Sequence, residues 1–115
     1  ICDEVQAGFG RTGKMFGFEH EEVKPDLVCL GKALSGGFMP VSAVLGNNEV
    51  MDQIKPGEHG STFGGNPLAA RTAMAAIDVV IEEKLCENSA KMGGLFLQNL
   101  KQIFTPSGKN GKHVK

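Results

Sequence analysis

The chain has 115 residues, close to the size of one small domain, and its formal net charge at pH 7 is −1. Acidic and basic residues are interspersed, without the basic face or stripe of a nucleic-acid-binding protein. No apolar run reaches the roughly 20 residues that cross a bilayer. We therefore expect partners other than nucleic acid or a membrane.

Three short apolar runs predict strands. The first is ICDEV at residues 1–5, the second is PDLVCLG at 25–31, and the third is PVSAVLG at 40–46. None of them alternates cleanly between apolar and polar residues, which is typical of strands that are covered on both faces in an α/β sheet. A proline opens the second and third runs, as suits the first position of a strand.

The stretches between and after these runs predict two short and two long helices. They cover residues around 19–23, 47–54, 67–84 and 87–104. Asn47 and Asn66 are the expected caps, and Pro67 suits a first helical position. The last helix carries an apolar stripe despite the Gly93–Gly94 pair. Strands alternating with helices indicate an α/β fold.

The ends and the cysteines of the chain add two expectations. The chain begins in an apolar run without Met and ends in the polar stretch SGKNGKHVK, so we expect part of a longer chain with an incomplete core. Cys2, Cys29 and Cys86 show no C-x-x-C spacing and are interpreted as buried free thiols in a reducing compartment. We expect no metal site.

Charged residues stand at the ends of the first two predicted strands. Asp3 and Glu4 end the first, and Lys32 follows the second within the small-residue stretch GKALSGG. Open α/β sheets bind ligands beyond the carboxyl ends of their strands, so these groups define a candidate chemical site. The glycines around Lys32 would let a flat molecule approach the backbone.

Pyridoxal phosphate matches what these residues offer. It has an aldehyde for a lysine amine, a ring nitrogen that needs an anionic partner, and a phosphate that needs hydrogen-bond donors. Lys32 is the candidate for the imine and Asp3 for the ring nitrogen. Ser61 and Thr62, in HGSTFGGNP before a predicted helix, are candidates for the phosphate.

Each signal also has an ordinary structural interpretation. A lysine after a strand is commonly solvated, an acidic pair commonly caps a turn, and a glycine-rich stretch before a helix is commonly a plain loop. Ser61, His59 and Asp52 could be combined into a hydrolase triad, but no G-x-S-x-G motif is present. GFGRTG at 8–13 lacks the spacing of a dinucleotide loop and the ending of a P-loop.

Four stretches then fit together. They are DEVQAGFGRTGK, PDLVCLGKALSGG, PVSAVLG and GEHGSTFGGNPLA. In this order they resemble the class III aminotransferases, pyridoxal-phosphate enzymes of fold type I, over most of residues 1–104. The resemblance implies that residues 1–86 form part of a large cofactor-binding domain with a mostly parallel sheet flanked by helices. It implies that residues 87–115 are a long helix and loop leading towards a small C-terminal domain.

The resemblance assigns a role to each matching residue. Asp3 resembles the aspartate paired with the pyridine nitrogen, Gln6 the residue near the phenolic oxygen, and Lys32 the Schiff-base lysine. Thr62 resembles the threonine that reaches the phosphate of the neighbouring subunit's cofactor, which implies a homodimer with shared sites. Family members commonly carry Thr or Ser where this chain has Ala7, so one local hydrogen bond is expected to differ.

Within the family, the stretches are most similar to members that transfer the δ-amino group of ornithine to 2-oxoglutarate, giving glutamate 5-semialdehyde and glutamate. Transfer from acetylornithine or 4-aminobutyrate is the alternative within the class, and a non-catalytic α/β interaction domain is the alternative outside it. Other substrate-binding parts of the family have no match here, so we expect the chain alone to be inactive. The cytoplasm is the expected location, with the mitochondrial matrix as the alternative.

Overall fold

The computed structural model describes residues 1–104 of the chain. Within these residues, the sheet has three strands in the order β1 (Cys2–Asp3), β2 (Leu27–Leu30) and β3 (Ala43–Gly46). β1 runs parallel to β2, and β3 runs antiparallel to β2. The predicted α/β class is confirmed, and the described part of the sheet is mixed. The loop predicted at the end of segment 87–115 lies outside the described residues.

Each strand lies inside an apolar run that predicts it, but each is shorter than its run. β1 has only two residues. Its pairing with β2 continues one residue further, because the Glu4 N–H donates to the Cys29 carbonyl at 2.9 Å. In the third run the strand begins only at Ala43. Pro40, at the start of that run, has no N–H to donate to a neighbouring strand.

Four of the five helical elements within residues 1–104 follow the predicted order, and the second 3₁₀ turn is not predicted by the sequence. The five elements are a 3₁₀ turn at Gly17–His20, a second 3₁₀ turn at Lys32–Ser35, α1 (Asn48–Met51), α2 (Pro67–Glu82) and α3 (Leu85–Phe104). Both predicted caps are confirmed, because Asn47 Oδ1 accepts from the Val50 N–H at 3.0 Å and Asn66 Oδ1 accepts from the Ala69 N–H at 2.8 Å. Such a cap contributes about 1 kcal/mol to helix stability.

The helix predicted around 19–23 is displaced towards the N-terminus. The helical conformation covers Gly17–His20 and ends there. Glu22 has φ of 53°, in the left-handed region, which does not continue a right-handed helix. Pro25 favours an extended conformation for the residue before it. These local constraints shorten the segment to a single turn.

The core lies between β2, the turn at Lys32–Ser35 and α2. Leu30, Leu34 and Ala73 are buried together. The partly buried residues packed against them are Phe9, Phe16, Val28, Val41, Ala43 and Ile77. Burying a leucine side chain contributes roughly 1.5–3 kcal/mol, so Leu30 and Leu34 anchor the backbone on both sides of Lys32.

Outside this core, much apolar surface is exposed. On α3, Phe96 is 63% exposed and Leu97 is 58% exposed. Exposed apolar surface of this kind is typical of a face that packs against another segment or partner. Neither long helix within residues 1–104 is apolar enough to span a membrane. The three cysteines are free thiols and are half-buried rather than fully buried.

Candidate active site

Lys32 opens a 3₁₀ turn directly after β2. The turn closes through the Leu34 N–H, which donates to the Gly31 carbonyl at 3.0 Å. Lys32 itself has φ of 46°, a left-handed conformation that side-chain-bearing residues rarely adopt. Such a conformation costs on the order of 1–3 kcal/mol and persists only where the surroundings impose it. Lys32 stands between the buried residues Leu30 and Leu34, while its own side chain stays exposed.

Gln6 binds the lysine directly. The Lys32 Nζ donates to Gln6 Oε1 at 2.6 Å, although the two residues are far apart in the chain. Asp3 stands opposite Cys29 in the parallel pairing, so the carboxyl ends of β1 and β2 meet at one edge of the sheet. Gln6 and Lys32 meet beyond these strand ends, and Asp3 lies at the end of β1 on the same side of the sheet.

Asp3 is exposed, and one of its carboxylate oxygens is hydrogen-bonded to the backbone. Its Oδ1 accepts from the Val5 N–H at 3.0 Å, which orients the carboxylate at the end of β1. A carboxylate accepts through both oxygens, so this bond leaves acceptor capacity for a ligand. The exposed position makes Asp3 an available anionic partner.

Glu4, the other member of the acidic pair, has a different setting. It is 3% exposed, and both its oxygens accept from backbone amides: Oε2 from the Gly17 N–H at 2.8 Å and Oε1 from the Phe18 N–H at 2.9 Å. The strand-end pattern in the sequence does not separate the two acids. A carboxylate followed by a glycine-rich loop, whose amides need acceptors, is the signal that favours this role for Glu4.

Ser61 and Thr62 lie in the exposed loop before α2, apart from the lysine cluster. The Ser61 hydroxyl accepts from the Gly64 N–H at 3.1 Å. Ser61 also lines a mainly apolar groove of about 960 Å³, whose wall does not include Asp3, Gln6 or Lys32. Within the described residues, the structure therefore brings Gln6 to Lys32 but does not bring Ser61 there.

The hydrolase triad considered from the sequence gains no support. The Ser61 hydroxyl engages the Gly64 amide and not the His59 ring. Within residues 1–104, no group of three or more His, Cys, Asp or Glu side chains could hold a metal ion. The lysine cluster is thus the best-defined chemical site of the described chain.

The residues of the lysine cluster fit pyridoxal phosphate. Lys32 offers an exposed primary amine, and Asp3 offers a carboxylate at the same sheet edge. Gln6 accepts from the lysine through its oxygen, so its amide NH₂ is a donor for an oxygen of the ligand. These are the three kinds of group that the aldehyde, ring nitrogen and phenolic oxygen of this cofactor require.

Comparison with known proteins identifies the class. The class III aminotransferase model matches residues 1–114, and the chain belongs to this family. Among curated relatives, the chain is 62% identical over 102 residues to an ornithine aminotransferase of Plasmodium yoelii yoelii, covering 89% of the chain and 25% of that protein. It is 55% identical over 115 residues to the mitochondrial ornithine aminotransferase of Arabidopsis thaliana, covering 100% of the chain and 24% of that protein.

Solved structures of aminotransferases share the fold of this chain. An ornithine δ-aminotransferase of Plasmodium falciparum matches with a TM-score of 0.86 and 60% identity, over 91% of this chain and 27% of that one. An acetylornithine aminotransferase of Elizabethkingia anophelis matches with a TM-score of 0.84 and 61% identity, over 87% of this chain and 25% of that one. The chain spans about a quarter of the length of the curated relatives it matches.

Proposed function

We propose that the chain is the lysine-bearing part of an ornithine aminotransferase that uses pyridoxal phosphate. The complete enzyme transfers the δ-amino group of L-ornithine to 2-oxoglutarate, giving L-glutamate 5-semialdehyde and glutamate. The observation that carries this proposal is the 2.6 Å hydrogen bond from Lys32 Nζ to Gln6, beside Asp3 at one sheet edge. The ornithine aminotransferases among the relatives support the choice of amino donor.

Lys32, Asp3 and Gln6 have separate roles in this proposal. When bound, pyridoxal phosphate stabilises negative charge at the amine-bearing carbon of the substrate. Lys32 would hold the cofactor through its amine, and its free amine would take the proton from that carbon and return one. Asp3 keeps the ring nitrogen protonated through its negative charge. Gln6 orients Lys32 Nζ through their hydrogen bond.

The exposed loop before α2 contributes the phosphate ligands of a homodimer in this proposal. Thr62 is exposed and its neighbour Phe63 is 80% exposed, which suits residues that reach a second subunit. Thr62 donates to the phosphate of the partner's cofactor. Ser61 accepts from the Gly64 amide and keeps its own O–H as a donor for the same phosphate.

Domain organisation and location belong to the same proposal. Residues 1–86 are part of the cofactor-binding large domain, and residues 87–115 lead towards a small domain. The rest of the complete enzyme supplies the remaining substrate and phosphate contacts, so the chain alone is inactive. The mitochondrial names of relatives from Drosophila melanogaster and Arabidopsis thaliana favour the mitochondrial matrix over the cytoplasm.

One alternative amino donor has a specific observation in its favour. The acetylornithine aminotransferase structure is 61% identical to this chain, as similar as the Plasmodium ornithine enzymes. A 4-aminobutyrate donor has no such observation. A non-catalytic interaction domain is the least favoured, because the aminotransferase family matches nearly the whole chain.

Turnover by the complete enzyme tests the proposal. With 2-oxoglutarate as acceptor, we expect kcat/KM for ornithine to exceed that for acetylornithine or 4-aminobutyrate by roughly tenfold or more. Lys32→Ala should abolish turnover. Lys24→Ala, which removes another exposed lysine just before β2, should leave turnover unchanged. A preference for acetylornithine would overturn the substrate assignment, and activity surviving in Lys32→Ala would overturn the site.

A further inference from the structure

Glu4 is the buried acid of the described chain, and the proposed chemistry does not use it. Its side chain is 3% exposed, and it is the only buried charged residue within residues 1–104. Removing a carboxylate from water is unfavourable unless its oxygens are bonded. The Gly17 and Phe18 amides supply those bonds at 2.8 and 2.9 Å. Charge-assisted bonds of this kind are among the strongest in proteins and fix the side chain.

The backbone of Glu4 fixes the turn that carries Gln6. The Glu4 N–H donates to the Cys29 carbonyl at 2.9 Å, which ties the start of the turn to β2. The Glu4 carbonyl accepts from the Gly8 N–H at 2.9 Å, which closes the turn over residues 4–8. Gln6 is the middle residue of this turn, and its Oε1 accepts from Lys32 Nζ at 2.6 Å.

The space around the buried carboxylate is full. A Cβ on Gly17 would lie 3.1 Å from the Ala7 Cβ and 3.3 Å from Glu4 Oε1. A Cβ on Gly8 would lie 2.8 Å from the Glu4 carbonyl oxygen. The turn over residues 4–8 and the segment at 17–18 therefore pack around one carboxylate, and neither shifts without disturbing the other.

We propose that Glu4 is a positioning residue, whose carboxylate sets the turn over residues 4–8 so that Gln6 Oε1 meets Lys32 Nζ. Glu4 contacts neither the lysine nor the groups assigned to the cofactor. It acts through the turn, by holding the Gly17 and Phe18 amides against it. The contact argument stands on this chain alone, and only the effect on transamination rests on the proposed function.

The main variant is Glu4→Gln in the complete enzyme. Glutamine keeps the shape but replaces one acceptor oxygen with an NH₂ group facing a backbone N–H, so one bond is lost. The matched control is Glu58→Gln. Glu58 Oε2 accepts from the Lys55 N–H at 2.7 Å, so the control weakens a carboxylate–amide bond in the loop before α2, outside the turn and the segment at 17–18.

The first readout needs no cofactor. In cofactor-free protein, the rate at which an amine-directed acetylating reagent modifies Lys32 is measured by peptide mass spectrometry. The Lys32 Nζ donates to Gln6 Oε1, and this bond must break before the amine can attack the reagent. We therefore expect Gln6→Ala and Glu4→Gln each to raise the Lys32 rate about fivefold, the effect of losing one hydrogen bond. Glu58→Gln should leave the rate unchanged.

The double variant Glu4→Gln/Gln6→Ala distinguishes an effect of Glu4 through Gln6 from a general loss of structure around Lys32. If Glu4 acts through Gln6, Glu4→Gln has no further effect on the Lys32 rate once Gln6 is alanine. With ornithine, Glu4→Gln should lower kcat about tenfold with little change in KM, and this loss should also vanish in the Gln6→Ala background. If Glu4→Gln changes the Lys32 rate and kcat by the same factors with alanine at position 6 as with Gln6, the proposal is overturned.

A second variant covers the case in which Glu4→Gln does not fold. Gly17→Ala keeps the carboxylate but places a Cβ 3.3 Å from its Oε1, and we expect a smaller rise in the Lys32 rate, of about threefold. An unchanged Lys32 rate in the folded variant would overturn the proposal. If ornithine is not turned over but the Lys32 rates change as expected, the proposed function fails and the role of Glu4 stands.

Discussion

The two glycine-rich loops of the chain are held in different ways. In the first glycine-rich loop, residues 8–17, side chains at Gly8 and Gly13 would meet other atoms at 2.8 and 2.9 Å. In the second glycine-rich loop, residues 55–66, a Cβ on Gly57, Gly60 or Gly65 would meet nothing within 4 Å. The first loop therefore takes its shape from close packing within the chain.

This difference matches the two parts of the proposed site. The first loop follows the turn that presents Gln6 to Lys32. Its packing therefore supports the hydrogen bond from Lys32 Nζ to Gln6 Oε1 in the absence of a ligand. The second loop carries Thr62 on open surface, as suits a segment that is completed by a second subunit. In the proposed enzyme, the closely packed first loop would support the chemistry, and the open second loop would contact the second subunit.

Among the variants that keep Lys32, the largest predicted effect concerns charge at the sheet edge. Asp3→Asn in the complete enzyme keeps an oxygen that accepts from the Val5 N–H but removes the negative charge. We expect kcat for ornithine to fall by about 10²-fold or more, because a neutral partner does not hold a protonated ring nitrogen. Steady-state kinetics measure this loss.

Asp26→Asn is the matched control for Asp3→Asn. Asp26 is also an exposed aspartate, just before β2, and accepts from Asn47 Nδ2 at 3.1 Å. Its substitution should leave kcat unchanged. Equal losses in the two variants would remove Asp3 from the site.

The next effect tests the packing of the first glycine-rich loop. Gly8→Ala should lower the free energy of unfolding by about 2 kcal/mol, because its Cβ would lie 2.8 Å from a backbone oxygen that cannot move aside. Gly60→Ala, with open space around it in the second loop, should change stability by less than about 0.5 kcal/mol. Denaturant unfolding of both variants provides the comparison, and equal effects would contradict it.

A smaller effect tests the role of the second loop in assembly. Thr62→Ala should weaken pyridoxal phosphate binding about tenfold, the effect of one hydrogen bond to a charged phosphate. Mixing Thr62→Ala subunits with Lys32→Ala subunits should restore tight binding in hybrid dimers, since one site then receives both native residues. Titration of the mixture against each variant alone measures this, and no recovery would place Thr62 in its own subunit's site.

The smallest effect concerns the contact between α3 and the first loop. The Ser89 hydroxyl donates to the Arg11 carbonyl at 2.9 Å. Ser89→Ala should lower the free energy of unfolding by about 1 kcal/mol, the usual contribution of one hydrogen bond. Asn88→Ala, at the exposed neighbouring position, should cost less than half of this. A larger effect at Asn88 would show that the loop is held elsewhere.

Local signals predicted the elements whose causes are local. Asn66 and Pro67 mark the start of α2 because a cap and a first-turn proline act within one helical turn. β1 and β2 are parallel, so their carboxyl ends lie on the same side of the sheet, as the strand-end pattern requires. These predictions needed no knowledge of distant contacts.

Features that depend on distant contacts were not predictable in the same way. Lys32 has a left-handed φ close to Leu34, which is buried against Ala73 of α2, and no local pattern reveals either feature. The separate roles of Asp3 and Glu4 depend on the Gly17 and Phe18 amides, which return from later in the chain. The three cysteines are only half-buried because the core of the described residues is small.

Covalent mapping of the cofactor tests the central claim most directly. The complete enzyme is loaded with pyridoxal phosphate, reduced with borohydride and digested, and the peptide that carries the added cofactor mass is sequenced. We expect the label on Lys32, and no label on residues 31–37 of a Lys32→Ala variant. A label on another lysine, such as the exposed Lys14 or Lys55, would show that Lys32 is not the lysine that binds the cofactor.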